Sequence, residues 1–157
     1  MSRLKISGTR HALQDNACQK AYVSQMAAFL EVIRRRARED IDKTHDFLVS
    51  AFGFESAGVV RNGDGRAVHG EVRAGGRRIW LHPVSPEHGL GSPRSLGASG
   101  GGNVVLVDDV DAHFAKAEAA GATILSGPVD QDYGQREYGA ADPDGHSWWF
   151  ATLLHGR

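Results

Sequence analysis

Residues 67–83 read A-V-H-G-E-V-R-A-G-G-R-R-I-W-L-H-P, and residues 136–152 read R-E-Y-G-A-A-D-P-D-G-H-S-W-W-F-A-T. When the two stretches are aligned with an offset of about 69 positions, Gly70 falls on Gly139 and Trp80 falls on Trp149. A repeat at a fixed period indicates two copies of one structural unit. The chain is therefore predicted to hold two α+β units around a cleft, and clefts of this kind bind small molecules.

A helix-like segment precedes each copy. Asp40 or Asp42 can accept hydrogen bonds from the first free N–H groups of a helix, and Gly53 can end that helix in the left-handed conformation. Asp109 or Asp111 has the same capping role before the second copy. Each unit is therefore predicted to place a capped helix ahead of its hairpin strands.

Strand-like runs follow each helix and are separated by turn signals. N-G-D-G at residues 62–65 and D-P-D-G at residues 142–145 favour hairpin turns, because Asn and Gly tolerate positive φ and Pro suits the first corner. The short connections favour antiparallel pairing. Strands are predicted at residues 67–73, 78–82, 104–107 and 147–153, with further strands beginning near residues 59 and 121.

The composition along the chain divides it into four parts, which are an N-terminal extension (1–28), a first module (29–83), a Gly/Pro/Ser-rich linker (84–102) and a second module (103–157). Residues 11–38 contain no Pro or Gly and favour a helix. The apolar residues between 29 and 36 favour a strand instead. Both interpretations of this segment stay open, and the extension is predicted to be helical.

The overall composition excludes some classes of function. The formal net charge of -1 does not favour binding to nucleic acid or to an anionic membrane surface. No apolar run approaches the roughly 20 residues that span a bilayer. The single cysteine, Cys18, cannot form an internal disulfide, which is typical of a reducing compartment. A cytoplasmic protein is therefore expected.

Four segments together resemble one known family. They are D-F-L-V-S-A-F-G-F-E (46–55), V-H-G-E-V-R-A-G (68–75), V-D-D-V-D-A-H-F-A-K-A-E-A-A-G-A (107–122) and D-Y-G-Q-R-E-Y-G-A-A-D-P-D-G-H-S-W-W-F-A-T (132–152). They resemble the glyoxalase/bleomycin-resistance proteins of the vicinal oxygen chelate superfamily, in the PhnB-like or bleomycin-resistance-like subgroup. The resemblance implies an α+β fold of paired βαβββ modules whose mixed sheets surround a cleft, often in a homodimer.

The resemblance also locates where a metal ion binds in the metal-dependent members. Their ligands come from the first strand, from the strand that opens the second module, and from a Glu on the last strand. The matching positions here are Glu31, Gly102 or Asn103, and Trp149. Because the side chains of Gly and Trp cannot ligate a divalent cation, no metal cofactor is expected at the family's site.

A weak alternative metal set starts from His69 and Glu71, which share one face of a strand because they are two residues apart. His82 on the next strand completes this set. The competing interpretation makes His69 and His82 structural residues of the sheet.

Residue alternation sorts the last strand into two faces, with Trp149 on one and Trp148 and Phe150 on the other. In the repeat, Trp80 matches Trp149, and Tyr138 matches His69. Members of each pair are therefore expected to face the same way. The predicted ligand-binding residues are Trp80, Trp149, His69, Glu71, Tyr138, Tyr133 and His82. The alternative is that the two indoles belong to the core or to a dimer interface.

The preferred interpretation is a metal-independent protein that sequesters a flat or aromatic compound, such as an antibiotic, as a homodimer. Two alternatives stay open. One is a metal-dependent lyase, isomerase or dioxygenase with a relocated metal site. The other is a partner-binding role for the N-terminal extension. No catalytic residue is identified from the sequence.

Overall fold

The computed structural model of the chain describes residues 30–154, and the elements below lie in the compact unit Ile33–Arg157. The predicted helical extension, residues 1–28, lies outside the described residues. The predicted strand at residues 29–36 corresponds in part to an observed one, because a strand spans Arg34–Arg38.

The first module contains four strands and one helix. In chain order they are β1 (Arg34–Arg38), α1 (Ile41–Phe52), β2 (Glu55–Arg61), β3 (Ala67–Ala74) and β4 (Arg77–Pro83). The strand order in the sheet is β1-β4-β3-β2. Strand β1 runs parallel to β4, whereas β2–β3 and β3–β4 are antiparallel hairpins.

The second module repeats this arrangement. Its elements are β5 (Asn103–Leu106), α3 (Val110–Ala119), β6 (Thr123–Gln131), β7 (Gln135–Ala141) and β8 (Ser147–Leu153). The strand order is β5-β8-β7-β6, again with one parallel pair, β5–β8. Two βαβββ modules with mixed sheets are the fold that the sequence predicted.

The helices begin and end where their capping residues predict. The Asp40 carboxylate accepts from the backbone N–H of Lys43, and the Asp109 carboxylate accepts from that of Ala112. Gly53 ends α1 at φ 68°, a left-handed conformation that costs Gly little because it has no Cβ. Of the two candidate caps at each helix, the residue nearer the N-terminus is the one used.

The linker between the modules is structured. It contains a 3₁₀ turn (Pro86–His88) and a short helix, α2 (Pro93–Leu96). The buried Ser92 caps α2 and also donates to the carboxylate of Glu39 at 2.5 Å. The backbone N–H of Arg94 donates to the carbonyl of Asp144. These bonds attach a glycine-rich segment to both modules.

One hydrophobic core lies between the modules. Val72, Ile79 and Leu81 enter it from the first sheet, and Trp148 and Phe150 enter it from the second. Phe52 of α1 packs edge-on against Phe150, with ring centroids 4.9 Å apart. Each sheet therefore has an inner face toward this core and an outer face on the opposite side.

A buried ionic cluster joins β1 to the D-P-D-G turn of the second module. The guanidinium of Arg38, fully buried, donates to Asp142 at 2.5 Å and to Asp144 at 3.5 Å. Thr44 donates to Asp144 at 2.6 Å, and the Trp148 indole donates to Asp142 at 2.9 Å. A buried charge needs such partners, because an isolated one in a low-dielectric interior is costly.

Candidate functional site

The outer face of the first sheet presents a row of aromatic rings. Strand β4 alternates, so Ile79 and Leu81 are buried in the core while Trp80 and His82 point outward and are half-buried. His69 of β3 lies between them, with its ring centroid 5.4 Å from that of Trp80 and 5.3 Å from that of His82. The structure thus brings together three of the predicted site residues.

A carboxylate orients the Trp80 indole. The Nε1 group of Trp80 donates to Oε2 of Glu71 at 2.8 Å, across the antiparallel pair β3–β4. The Arg73 guanidinium lies 3.5 Å from the other oxygen of Glu71. With its polar group satisfied inside the sheet surface, the indole can offer its apolar ring to a ligand.

The imidazole of His82 is held in its neutral form at neutral pH. Its pKa is lowered, first by burial and then by the positive charge of Arg35 and by His69. A neutral imidazole keeps one donor and one acceptor for a ligand.

On the outer face of the second sheet, Trp149 lies across two glycines. A Cβ on Gly139 would meet the Trp149 ring at 2.8 Å, and a Cβ on Gly102 would meet it at 3.3 Å. Because Gly139 on β7 and Gly102 just before β5 have no side chain, the indole can lie close to the sheet at both positions. Trp149 makes none of the ring contacts found among residues 30–154.

The surroundings of Trp149 are apolar and uncovered. Val104 is 65% exposed and Leu106 is 59% exposed, and they pair with Trp149 and Ala151 on the same face. Val129 is 52% exposed and Leu153 is 50% exposed nearby in the sheet. Several exposed apolar side chains on one face mark an interaction surface more often than an inert one.

The expectation that Tyr138 faces the cleft with His69 is wrong. Tyr138 is fully buried in the core and stacks on Phe150 with ring centroids 5.2 Å apart. Its hydroxyl lies 2.7 Å from Nδ1 of His113, whose Nε2 lies 3.1 Å from the carbonyl of Phe52. Because a carbonyl only accepts, Nε2 donates and Nδ1 accepts from the tyrosine. Burial raises the pKa of the Tyr138 hydroxyl.

The wrong prediction for Tyr138 comes from a shift of one residue in the alignment of the two repeats. Trp80 pairs with Glu71, and Trp149 pairs with Gly139, so Glu71 is the counterpart of Gly139 and His69 that of Glu137. The alignment on Gly70 and Gly139 is therefore shifted by one residue in β3 and β7. A shift of one residue in a strand moves every side chain to the opposite face.

Tyr133 lies at the β6–β7 turn and is 67% exposed. Its hydroxyl donates to the carboxylate of Glu137 at 2.7 Å, and this bond raises the pKa of the tyrosine. Glu137 pairs with Ala151 and shares the outer face with Trp149. Tyr133 is thus connected to the second sheet's outer face rather than to the His69 row.

The two indoles lie on the outer faces of different sheets. The inner faces of both sheets contribute to one core, whereas Trp80 and Trp149 lie on the two outer faces. Outer faces point away from a shared core. Neither indole is therefore part of the core.

Two of the three positions that match the family's metal ligands, those of Asn103 and Trp149, do not fit a metal ion. The side-chain oxygen of Asn103 accepts from Arg34 at 2.9 Å and from Arg36 at 2.8 Å, so two cations already occupy its lone pairs. Trp149 has no ligating atom. Within residues 30–154, no three His, Cys, Asp or Glu residues lie close enough to hold an ion, and this includes the alternative set around His69.

No helix in the described part of the chain is long and apolar enough to cross a membrane.

Sequence reasoning missed one part of the site. The short run Arg34–Arg38 places Arg35 on the outer face beside Trp80, since these two residues pair in the parallel register. The alternation of side chains along a strand in this segment is the signal that would place Arg35 on the outer face.

Comparison with known proteins supports this architecture. Residues 31–150 match the sequence model described as "Glyoxalase/Bleomycin resistance protein/Dioxygenase superfamily". The uncharacterized protein Mb0911c of Mycobacterium bovis is 36% identical over 113 residues, which cover 70% of this chain and 74% of that protein.

Two solved structures are similar in fold and sequence. TioX from Micromonospora sp. ML1 superposes with a TM-score of 0.63 at 30% identity, covering 80% of this chain and all of that one. TnmS3, an antibiotic binding protein from Streptomyces sp. CB03234, superposes with a TM-score of 0.63 at 26% identity and covers 82% and 99% of the two chains.

Proposed function

Because the chain belongs to the Glyoxalase/Bleomycin resistance protein/Dioxygenase superfamily, we propose that it binds and sequesters a flat aromatic small molecule without a metal ion. The observation that carries this proposal is the pair of half-buried indoles, Trp80 and Trp149, on the outer faces of the two sheets. The similarity to TnmS3, described as an antibiotic binding protein, supports it.

The proposed mechanism is stacking with polar orientation. Trp80 and Trp149 stack on the ligand's ring system, each worth about 0.5–1.5 kcal/mol beyond the buried area. His69 and His82 supply donors and acceptors along the first sheet, and Glu71 holds the Trp80 indole in place. No covalent step is needed for sequestration. We also propose that the protein acts in the cytoplasm, as its single cysteine suggests.

A homodimer completes the proposed cleft. Trp80 and Trp149 lie on the outer faces of two different sheets, so we propose that a ligand contacts both where the first sheet of one subunit faces the second sheet of another. The exposed Val104 and Leu106 beside Trp149 suit such a covered position. The first sheet contributes the polar residues, and the second contributes the apolar wall.

The test is a fluorescence titration of the chelator-treated protein with a panel of flat aromatic antibiotics. We expect saturable quenching without added metal. Trp80→Phe and Trp149→Phe are each expected to weaken binding or reduce the quenching amplitude, because each removes one stacking indole.

The third tryptophan provides an internal control. Trp148 is buried in the core and donates to Asp142, so its emission does not respond directly to a ligand on an outer face. The double variant Trp80→Phe/Trp149→Phe is therefore expected to lose the response while staying folded. Quenching that persists in this variant, or that appears only after a divalent metal is added, would refute the proposal. The latter outcome would favour a metal-dependent enzyme.

A further inference from the structure

A cavity of about 640 Å³ opens beside His82, at one end of the aromatic row on the first sheet. Three parts of the chain form its walls. Strand β1 contributes Arg35, the end of the β2–β3 turn contributes Arg66, and the linker contributes Ser85 and Glu87. Of the predicted ligand-binding residues, His82 lines this cavity.

Local backbone irregularities form the cavity. The pairing of β2 with β3 skips Val68, between the pairs Val60–His69 and Arg61–Ala67, and Val68 lines the cavity with His82. On the other side, the linker folds back on itself through a bridge between Ser85 and Leu90. The linker is thus a wall of the cavity as well as a connection between modules.

Two arginines make the lining of this cavity positive. Arg35 and Arg66 line it, and neither side chain has an ion pair or hydrogen bond within residues 30–154. Glu87 is the one acidic residue in the lining, and its Oε1 accepts from Ser85 at 2.6 Å and lies 3.6 Å from His88. Its carboxylate offsets one of the two arginines, and the positive charge of the other remains.

The cavity and the aromatic row are continuous. Arg35 pairs with Trp80 in the sheet register, and His69 lies between the rings of Trp80 and His82. A ring system lying over Trp80 and His69 would therefore direct a substituent at one end toward Arg35. Guanidinium groups bind planar oxyanions through paired N–H donors.

We infer that the ligand is an aromatic acid, with an anionic oxygen group such as a carboxylate held by Arg35 and Arg66 and its rings over Trp80 and His69. This inference rests on the proposed function and adds the charge of the ligand to it. It assigns a specificity role to two arginines and to the linker wall.

The experiment compares two probes of the same shape, 2-naphthoate and its neutral isostere 2-naphthamide, by calorimetric titration of the full chain at low salt. We expect naphthoate to bind about tenfold more tightly, because charge-assisted hydrogen bonds are stronger than neutral ones. The double variant Arg35→Gln/Arg66→Gln should reduce the ratio of the affinity for naphthoate to that for naphthamide to near one. Raising the salt concentration should also reduce the ratio, since the cavity is open to solvent.

Arg77→Gln is the matched control. Arg77 is exposed and lies at the opposite end of β4, outside the cavity, so its replacement removes the same charge without touching the site. This variant should keep the ratio of the unchanged protein. Circular dichroism should show that all variants fold, because the three arginines are exposed.

The outcomes separate the two proposals. Equal binding of both probes by the unchanged protein, or a ratio that survives the double variant, overturns the inference and leaves aromatic binding intact. Binding of neither probe rejects both the inference and the proposed aromatic site.

Discussion

At the level of single residues, glycine decides how the Trp149 indole is presented. Gly139 lies beneath the ring, and a Cβ there would approach it to 2.8 Å. The backbone of Gly139 has no positive φ, so the requirement is for space and not for conformation. The indole's position thus depends on a neighbour that has no side chain.

We expect Gly139→Ala to displace the Trp149 ring at a cost of about 1–3 kcal/mol, the usual range for overpacking. The displacement should weaken ligand binding and shift the tryptophan emission. Gly127→Ala is the control, because a Cβ on Gly127 meets nothing within 4 Å. If the two variants behave alike in urea unfolding and emission, the proposed role of Gly139 is incorrect.

Tyr138 is a core residue in the structure, although the repeat suggested a ligand contact. We expect Tyr138→Phe to lower the free energy of unfolding by about 1–3 kcal/mol, because it leaves Nδ1 of His113 buried without its donor. Affinity for ligands should not change. Chemical denaturation and the fluorescence titration measure the two effects, and a loss of affinity at unchanged stability would restore the sequence-based assignment.

At the level of elements, the D-P-D-G turn has a role beyond reversing the chain. Asp142 accepts from the Arg38 guanidinium, from the Trp148 indole and from the backbone N–H groups of Asp144 and His146. A hairpin turn therefore also joins the two modules through one carboxylate.

Asp142→Ala is expected to cost about 3–5 kcal/mol, because it leaves the charge of Arg38 buried without its nearest partner. Asp42→Ala is the comparison, since it breaks the exposed pair with Arg61 and should change stability little. Urea midpoints of both variants test this. Similar losses would mean that burial is not what makes the Asp142 pair important.

Short sequence patterns predict some features of the helices and strands and not others. The terminating Gly53 was predictable, and each helix cap was narrowed to two aspartates, because these residues act on a helix end within a few positions of themselves. The strand Arg34–Arg38 was not decided by its own residues. It forms because its edge pairs with β4, more than forty positions away, as the pair Arg34–Ile79 shows.

At the level of the whole molecule, two neutral histidines connect distant elements. Nε2 of His146 lies 3.0 Å from the carbonyl of Ala37, and Nε2 of His113 lies 3.1 Å from that of Phe52. Burial is the main cause that lowers the pKa of both imidazoles below the ordinary value of 6.5. Each therefore binds its proton more readily in the unfolded chain.

Stability should consequently decrease as the pH falls below about 6.5, since the unfolded state then takes up protons that the folded state excludes. The stability that depends on neutral His113 and His146 is complete above the pKa of these groups in the unfolded chain. It is lost as the pH falls toward their lower pKa in the folded protein. Urea unfolding between pH 7.5 and 5.5 measures this slope. The double variant His113→Gln/His146→Gln should have a smaller slope, and an unchanged slope would contradict the assignment.

The proposed dimer makes a prediction about molecular mass. Val104→Glu places a charge on the apolar outer face beside Trp149, so the variant should be monomeric in size exclusion with light scattering. Leu96→Glu is the control, because Leu96 is 66% exposed on α2 in the linker. If the mass of Val104→Glu is unchanged, this face does not form the interface.

The sequence by itself determined the repeated module, its caps, its turns and the family, because these depend on neighbouring residues and on short motifs. It also determined that Trp149 and Trp148 lie on opposite faces, since strand alternation is local. Only the tertiary structure decided that Tyr138 is in the core and that His69, Trp80 and His82 form one row on the outer face. The register between strands and the packing of two modules depend on contacts between residues far apart in the chain, and no short pattern records them.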